Sequence, residues 1–552
     1  MASRLWRFLT TDVSELFSGE VITNTADAAG AVFELAEVLQ TQGPKVQDLA
    51  PLVGQLDTLL DALNSPLAEI VEKSVPFVPI ATSLLKFYLE QSKQPLTLEK
   101  CVAIVSQSAY LESFKKFLAD DAVLEQIGKT SASDALKVKT KQLGDLEISE
   151  EEARRTVTKF PVCKLAKHFG DVLKARLQQA GLEETAAQIL IERVAWQTPR
   201  YMNQVWAAST EAVKHLGQPT FDAWRQEQAK YQSIADYLVE KIEPGPQKSV
   251  FNEGDLTFCD IYVPLEVKLL DEKGQPLQDT PPRDLENWVT ESLFQTDSLE
   301  ILFIQGEAGR GKSVFCRMFA DWVREILFPA YVPILIPLRS LKVLETTLTE
   351  TLANALENYD FVSSDTGWLT DDNTRFLFLL DGFDELLLEG RDSGGLKEFL
   401  PQVVQFQRNC HHRFLITGRP LSLQGIERVI TQAKDDLQRA ELQPMSDPLR
   451  EIWYQQWADK FGQDETEGLK QFLEACPKDV QYGLAREPLL LYLLGRMHRK
   501  GRLKAEMFEG TDGTEAKVVI YDEVVRWVIE EQRQNENVRQ VGLEPEDLRQ
   551  AL

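Results

Sequence analysis

The chain has 552 residues, of which 43% are apolar, and its 86 acidic and 60 basic side chains give a formal net charge of −26. That length corresponds to about three to five domains, and the acidic balance disfavours general binding to nucleic acid or anionic membranes, because phosphate binding needs clustered Lys and Arg. The six cysteines lie far apart without a C-x-x-C pair, which excludes a disulfide scaffold and a thiolate zinc site and is typical of the reducing cytosol.

Neither the start of the chain nor its longest apolar stretch has the form of a membrane signal. The segment Met1–Asp12 holds too short an apolar run for a signal peptide. The stretch Val75–Leu89 contains Pro76, Pro79 and Lys86, and it is shorter than the ~18–20 residues that a spanning helix needs. We therefore expect a soluble protein of the cytoplasm.

Helical patterns cover the first part of the chain, and we assign residues 1–235 to an all-helical domain. Within Val46–Ile70, apolar residues recur mostly at steps of three and four, which places them on one face of a bundle helix. The segment Ser149–Glu152 has the form of a capping box, and Pro161 predicts a break in the helical pattern that follows it. Gly181 predicts the end of that helical stretch.

The pattern changes at the Pro/Gly-rich segment Glu243–Gln247, which cannot continue a helix. Two short β-rich segments follow, Leu256–Val263 and Leu265–Leu270, and Gly274 lies in a predicted turn. From Asp284 onwards the order strand, loop, helix repeats, which is typical of a parallel sheet with crossover helices. The sequence thus predicts an α/β core with a parallel sheet, preceded by an all-α domain and followed by a helical subdomain.

A phosphate-binding loop follows the first strand of this core, Leu299–Gln305. The sequence Gly306–Ser313 fits G-x-x-x-x-G-K-[ST] and is followed by a helical pattern. Its glycines let backbone N–H groups turn towards phosphates, Lys312 reaches the β- and γ-phosphates, and the Ser313 hydroxyl ligates Mg²⁺. The residues of this region that we expect to bind nucleotide are Gly306, Glu307, Ala308, Gly309, Arg310, Gly311, Lys312, Ser313 and Val314.

Carboxylates follow a second buried strand, Arg375–Leu380. Asp381, at the C-terminal edge of this strand, can hold the water shell of Mg²⁺ beside the phosphate loop. Of the two acids that follow, we favour Glu385 as the group that polarises the attacking water, with Asp384 orienting the water or the metal. Which of the two acids activates the water stays open, and a solvated acidic turn is the alternative for all three.

Two more strands complete the predicted sheet. The strand Tyr331–Leu338 lies between the phosphate loop and the acidic strand in the sequence, and an additional strand there marks the branch of P-loop proteins that carry a glutamate for hydrolysis. The strand Arg413–Thr417 is followed by Arg419. Because a polar residue at this strand end can reach the γ-phosphate, Arg419 is a candidate sensor of that phosphate, with a surface arginine as the alternative.

Taken together, three motifs resemble those of the NACHT family of signal-transduction ATPases with numerous domains (STAND). They are the loop Gly306–Ser313, the segment Leu379–Leu386 (LLDGFDEL) and the segment Phe414–Pro420 (FLITGRP). The order Asp-Gly-Phe-Asp-Glu is the most specific, since a small residue after the metal-binding Asp and then paired acids distinguish this family from most ATPases. The resemblance covers about Leu256–Trp527, roughly half of the chain, and it is to NLR-like members, for which we expect a bacterial source.

The resemblance implies a slow, regulatory ATPase with ATP/ADP and Mg²⁺ as cofactors. Family members alternate between an ADP-bound closed form and an ATP-bound open form that oligomerises, which suggests immune or stress signalling. Pro488 matches a proline that packs near the adenine, although Arg486 stands where the family has Gly. Ile261 and Tyr262 match a stretch that lines the base pocket, and ordinary core packing is the alternative for these residues.

The family also has a winged-helix domain, and Lys517–Val525 resembles its start. Because Leu543–Leu552 has the pattern of a helix that does not reach its cap, we expect a fragment truncated within this domain, with a trigger that acts through a missing C-terminal sensor. His498 lies too early to be the ADP-binding histidine of a winged helix. The expected division is 1–235 helical N-terminal domain, 236–285 linker and short strands, 286–430 nucleotide-binding core, 431–505 helical subdomain and 506–552 start of the winged helix.

Two other functions compete with a nucleotide switch. The first is a helical effector in residues 1–235 that acts on membranes and uses nucleotide only as a trigger. It rests on Val75–Leu89, for which a buried bundle helix is the favoured interpretation. The second is a phosphotransferase acting on a small molecule, for which no substrate pocket or base is evident. GTP is disfavoured because the sequence has no N-K-x-D element, and the expected partners are nucleotide and further copies of the chain.

Overall fold

The computed structural model describes most of the chain from Leu98 onwards. The described ranges are 98–120, 148–209, 221–250, 256–294, 300–385, 393–420 and 437–531, apart from short gaps within them, together with Val78, Ala81, Thr82 and Leu85. The predicted stripe in Val46–Ile70 and the ending Leu543–Leu552 lie outside the described residues, as does most of Val75–Leu89. Within the described ranges, no helix combines the length and the apolar character needed to cross a membrane.

Helices dominate both ends of the described chain, and the strands lie between them. The helices are α1 (Leu98–Asp120), α2 (Glu150–Thr158), α3 (Lys164–Gln179), α4 (Glu184–Ala208), α5 (Phe221–Tyr237), α6 (Phe258–Ile261), α7 (Leu285–Phe294), α8 (Lys312–Trp322), α9 (Leu348–Ala355), α10 (Asp360–Ser363), α11 (Ser393–Arg408), α12 (Asp447–Phe461), α13 (Gln463–Ala475), α14 (Pro488–Arg499) and α15 (Gly513–Glu531). The strands are β1 (Glu266–Leu269), β2 (Arg283–Asp284), β3 (Ile301–Gln305), β4 (Val332–Pro337), β5 (Phe376–Asp381), β6 (Arg413–Gly418) and β7 (Leu437–Leu442).

The chain divides into two compact units, the first of which contains the N-terminal helices with residues 323–332 and 356–376. Helix α4 packs against α1 and α3, and α1 also packs against α2. Tyr110, Phe160 and Phe169 form the aromatic centre of this core; all three are fully buried, and the ring centroids of Tyr110 and Phe169 lie 5.0 Å apart. The helical character predicted for this region is confirmed over the described residues.

The helix ends in this unit follow their sequence signals. The Ser149 side chain accepts the N–H of Glu152 at 3.2 Å, while the Glu152 carboxylate accepts the N–H of Lys164 at 2.9 Å and so caps the next helix. A short 3₁₀ turn containing Pro161 separates the two helices. Gly181 has φ +97° and ends α3, as the sequence predicts.

Arg375 joins α4 to the later segments of the same unit. Its Nη2 donates to Oε2 of Glu192 at 2.9 Å, and its Nε donates to the carbonyl of Ala330 at 2.8 Å. The guanidinium lies 3.9 Å from the ring centroid of Tyr331 and 4.6 Å from that of Trp196. A cation that contacts two aromatic rings and pairs with a carboxylate fixes this part of the unit through several contacts at once.

The second unit contains residues 239–322, 333–355 and 377–552. Among the described residues, seven strands form one sheet in the order β2-β1-β7-β3-β6-β5-β4. The strands β7, β3, β6 and β5 pair in parallel, whereas β1 pairs antiparallel with both β2 and β7. Every residue of β3 is buried, as expected for a central strand covered by helices on both faces. The predicted fold class, a P-loop α/β core followed by helices, is confirmed.

Two details of the predicted sheet are wrong. The segment Leu256–Val263 forms no strand; it contains α6, whose capping box joins the Thr257 side chain and backbone to Asp260, because local capping outweighs β propensity here. The additional strand that lies between β3 and β5 is β6, which follows the acidic strand in sequence. The strand β4, which we took as the additional one, lies at the sheet edge.

Three helices after the sheet, α12 to α14, pack together in the same unit. Trp453 and Trp457 of α12 stack at 4.9 Å, and Trp457 is fully buried. Helix α14 approaches this pair closely at Gly495, where a Cβ atom would lie 3.2 Å from the Trp457 ring and 3.1 Å from Leu469. This close packing fixes α14, whose first residue is Pro488.

Candidate functional site

The phosphate loop connects β3 to α8, and its two positive-φ glycines are tightly enclosed. Gly309 and Gly311 have φ of +83° and +92°, which L side chains rarely adopt. A Cβ atom on Gly309 would lie 3.3 Å from Leu489, whose N–H donates to the Gly309 carbonyl at 3.1 Å. On Gly311 it would lie 3.3 Å from Leu265. The start of α14 therefore packs directly on the loop.

Lys312 begins α8 and folds over the loop. Its Nζ donates to the carbonyl of Gly306 at 2.6 Å and to that of Glu307 at 3.0 Å. Burial lowers the pKa of Lys312 and Arg419 adds to this effect, whereas Asp384 and Asp381 oppose it. The Lys312 ammonium thus interacts electrostatically with the carboxylates at the end of β5.

Asp381 ends β5 and is held by the neighbouring strand. Thr417 of β6 donates its hydroxyl to Oδ1 of Asp381 at 2.7 Å and accepts the N–H of Gly382 at 3.0 Å. The carbonyl of Thr417 accepts the N–H of Phe383 at 2.7 Å. The turn after the strand is therefore fixed by hydrogen bonds to a single residue.

Gly382 makes room for Glu385. The glycine has φ +88°, and a Cβ atom there would lie 2.9 Å from Oε2 of Glu385. Burial raises the pKa of Glu385; Asp381 and Asp384 raise it further, and Arg339 and Arg419 lower it. A carboxyl group with a raised pKa is suited to accept a proton near neutral pH.

Asp384 is paired with Arg419. Its Oδ2 lies 2.9 Å from Nε of Arg419, and its Oδ1 accepts the backbone N–H of the same residue at 3.1 Å. Both carboxylate oxygens are thus engaged by one arginine, whereas Glu385 faces the turn at Gly382. The two acids, adjacent in sequence, have different surroundings.

A cavity of about 300 Å³ in the second unit brings most of the candidate residues together. Those that line it are Ile261, Tyr262, Ala308, Gly309, Gly311, Lys312, Ser313, Val314, Asp381, Asp384, Glu385, Arg419 and Pro488. Three candidates, Gly306, Glu307 and Arg310, are not among its lining residues. Arg310 instead donates to the carbonyl of Leu442 at 2.7 Å and lines a separate polar groove.

The cavity lining includes apolar residues that the sequence analysis missed. Phe258, Trp453, Leu489 and Tyr492 line it together with Pro488. Tyr492 lies four residues after Pro488 on α14, so helical periodicity could have placed both on one face. Trp453 carries no comparable signal, because it comes from another helix.

Hydrogen bonds fix Tyr262 in the cavity wall. Its hydroxyl donates to Oε1 of Glu286 at 2.7 Å, and its carbonyl accepts Nε2 of Gln456 at 2.7 Å. Burial raises the pKa of both Tyr262 and Glu286. The segment before the core is thus joined to α7 and α12.

Mg²⁺, which the resemblance implies, fits two oxygen donors among the lining residues of the cavity. The Ser313 side chain is exposed and Asp381 is half-buried, and both line the cavity. Hydroxyl and carboxylate oxygens are the ligands that Mg²⁺ prefers. Within the described part of the chain, no group of three or more His, Cys, Asp or Glu residues is placed to hold a metal ion by itself.

Two stretches of the chain match known domain families. Residues 46–256 match the family described as NACHT N-terminal Helical domain 3, and residues 300–460 match the NACHT domain. A comparison with curated proteins finds no match. The second stretch contains the phosphate loop and the ends of β5 and β6. Ile261, Tyr262 and Pro488 lie outside it, so their assignment depends on the geometry of the cavity.

Proposed function

The chain belongs to the NACHT family of P-loop NTPases, and we propose that it is an ATP/ADP-dependent signalling switch that hydrolyses ATP slowly. The observation that carries this proposal is the shared cavity, whose lining combines residues of the phosphate loop and the strand-end acids with Pro488 and aromatic side chains. A ligand with a charged phosphate tail and a flat base matches this combination.

The polar lining residues support phosphate and Mg²⁺ binding. We assign Lys312 to the β- and γ-phosphates, the loop from Gly306 to Val314 to phosphate contacts through its backbone, and Ser313 with Asp381 to the metal. When bound, Mg²⁺ supplies charge neutralisation on the phosphates. Among the apolar lining residues, we assign Pro488 and Ile261–Tyr262 to the base.

The two remaining acids receive different roles. Glu385 is assigned as the base that accepts a proton from the attacking water, since it lines the cavity and burial raises its pKa. Asp384 is assigned to hold Arg419, whose guanidinium can contact the γ-phosphate. A contact between Arg419 and the γ-phosphate would let the protein distinguish ATP from ADP.

The further properties of the switch are part of the same proposal. The ATP-bound form self-associates, the response belongs to immune or stress defence, and the division into segments ending at 235, 285, 430 and 505 describes the working parts. The match of residues 300–460 to the NACHT domain supports this assignment. No described feature favours the membrane effector or the phosphotransferase as a second function.

The test is nucleotide binding by the whole chain. The purified protein is denatured and its released nucleotide is identified by anion-exchange chromatography, with one ADP per chain as the expected result. Lys312→Ala should carry none and should fail to bind added ADP, because the phosphates lose their cation.

Lys470→Ala is the matched control, since Lys470 pairs with Glu451 on the surface and does not line the cavity. It should keep the wild-type nucleotide content. If Lys312→Ala binds ADP as well as the wild type does, the switch proposal is wrong.

A further inference from the structure

Thr417 lies between the two strands that carry the candidate site. It is the penultimate residue of β6, it is fully buried, and in register it stands opposite Ile304 of β3. On the other side, β6 pairs with β5 as far as Ile416 and Leu380. The next residues along these parallel strands, Thr417 and Asp381, therefore come side by side.

The Thr417 hydroxyl forms hydrogen bonds to both Asp381 and the residue after it. Its single hydroxyl proton goes to Oδ1 of Asp381 at 2.7 Å, and its oxygen accepts the N–H of Gly382 at 3.0 Å. Thr417 thus fixes one carboxylate oxygen of Asp381, and Asp381 lines the cavity. Thr417 is not among the lining residues, so it acts on the site through Asp381.

We propose that Thr417 is a positioning residue for Mg²⁺, whose hydroxyl holds Asp381 in the orientation that binds the metal or its water shell. This inference rests on the proposed function, because it assumes a metal–nucleotide complex in the cavity. Hydrogen bonds from outside the ligand set orient ligating carboxylates, and their loss typically costs about 10–100-fold in metal affinity. The effect should appear in the Mg²⁺ dependence and not in metal-free binding.

The test compares Thr417→Val with Thr417→Ser in the full chain. Valine keeps the shape of threonine and removes the hydroxyl, whereas serine keeps the hydroxyl. Binding of a fluorescent ADP analogue is measured in EDTA and, in separate samples without EDTA, at increasing Mg²⁺ concentrations. Thr417→Val should need at least about 10-fold more Mg²⁺ than the wild type for half-saturation. Its affinity for the ADP analogue in EDTA should not change. Thr417→Ser should have the same Mg²⁺ dependence as the wild type.

Two further variants separate positioning from a general structural effect. Thr466→Val is a matched control, since Thr466 is also buried and its hydroxyl donates to the Gly462 carbonyl away from the cavity; its Mg²⁺ titration should not move. In an Asp381→Asn background, Thr417→Val should add little, because Thr417 acts through that carboxylate. If Thr417→Val does not fold, Thr417→Ala removes the hydroxyl with a smaller apolar side chain.

The outcomes separate the two proposals. If a folded variant without the Thr417 hydroxyl has the same Mg²⁺ dependence as the wild type, the role of Thr417 is overturned, while the proposed nucleotide site is unaffected. An equal shift in Thr417→Ser and Thr417→Val also overturns it, since the hydroxyl would then be irrelevant. If the wild-type chain binds no nucleotide at any Mg²⁺ concentration, the proposed function fails, and the inference fails with it.

Discussion

Asp384 binds Arg419 through both of its carboxylate oxygens, one to Nε at 2.9 Å and one to the backbone N–H at 3.1 Å. The Asp384 side chain is 12% exposed and that of Arg419 is 46% exposed. The buried partner therefore determines where the exposed arginine lies. In the sequence, these residues are two separate candidates. In the structure, they form one ion pair at the ends of β5 and β6.

Asp384→Asn tests this pairing. Asparagine can still accept the backbone N–H of Arg419, but it loses the charge that holds the guanidinium. A charge-assisted hydrogen bond contributes roughly 1.5–3 kcal/mol, so we expect single-turnover ATP hydrolysis to fall by about 10-fold or more. The acid limb of its pH profile should remain, because Glu385 is intact. Loss of that limb in Asp384→Asn would instead identify Asp384 as the base.

The pH dependence of hydrolysis should report Glu385. The carboxyl must be deprotonated to accept a proton, and its pKa is raised from the ordinary glutamate value of 4.5 by burial and by Asp381 and Asp384. The rate should therefore fall as the pH is lowered through a value above 4.5. Glu385→Gln should lose about 10²–10⁴-fold in rate while it keeps ADP binding, measured at the same pH values. A wild-type rate in this variant contradicts the assignment.

Gly382→Ala should reduce ATP hydrolysis more than ADP affinity. A left-handed backbone costs a non-glycine residue roughly 1–2 kcal/mol, and the new Cβ would also lie 2.9 Å from Oε2 of Glu385, which must move. We expect a lower melting temperature and a larger loss of hydrolysis than of ADP affinity. Gly462→Ala is the control, since Gly462 has φ +95° with no atom within 4 Å of an added Cβ. Equal hydrolysis in the two variants would show that the contact with Glu385 is unimportant.

The parts of the site that the sequence predicts are those whose signals are local. The phosphate loop is a continuous motif between a strand and a helix, and Asp381 and Arg419 each follow a short apolar run. Parallel strands bring such ends to one edge of a sheet, which is why separate motifs meet in one cavity. Helix ends at Ser149 and Gly181 are likewise decided by neighbouring residues.

The rest depends on relationships that no local pattern carries. The contact between Thr417 and Asp381 requires β6 to lie beside β5, and this order is set by tertiary packing. Trp453 reaches the cavity from α12 because that helix packs on α14, whose approach in turn depends on Gly495. The segment Leu256–Val263 contains a helical turn where its composition favoured a strand, since Thr257 caps it locally.

The contact of Arg375 with Glu192 should stabilise the first unit measurably. The two side chains are 16% and 24% exposed, and the guanidinium also lies on Tyr331 and Trp196. A lysine cannot reproduce the planar fork or the stacking. We therefore expect Arg375→Lys to destabilise α4, and a cycle of Arg375→Lys with Glu192→Gln should give a coupling energy of about 0.5–3 kcal/mol.

Hydrogen exchange of α4 peptides in increasing urea measures this coupling within the unit, without assuming that the whole chain unfolds in one step. The matched control is the cycle between Lys159 and Asp372, which pair at 2.6 Å with 45% and 34% of their side chains exposed. An exposed pair contributes about 0–1 kcal/mol, so its coupling should be the smaller. Equal couplings would mean that burial and stacking add nothing to the contact of Arg375, and that the exposed and the enclosed ion pair stabilise the unit alike.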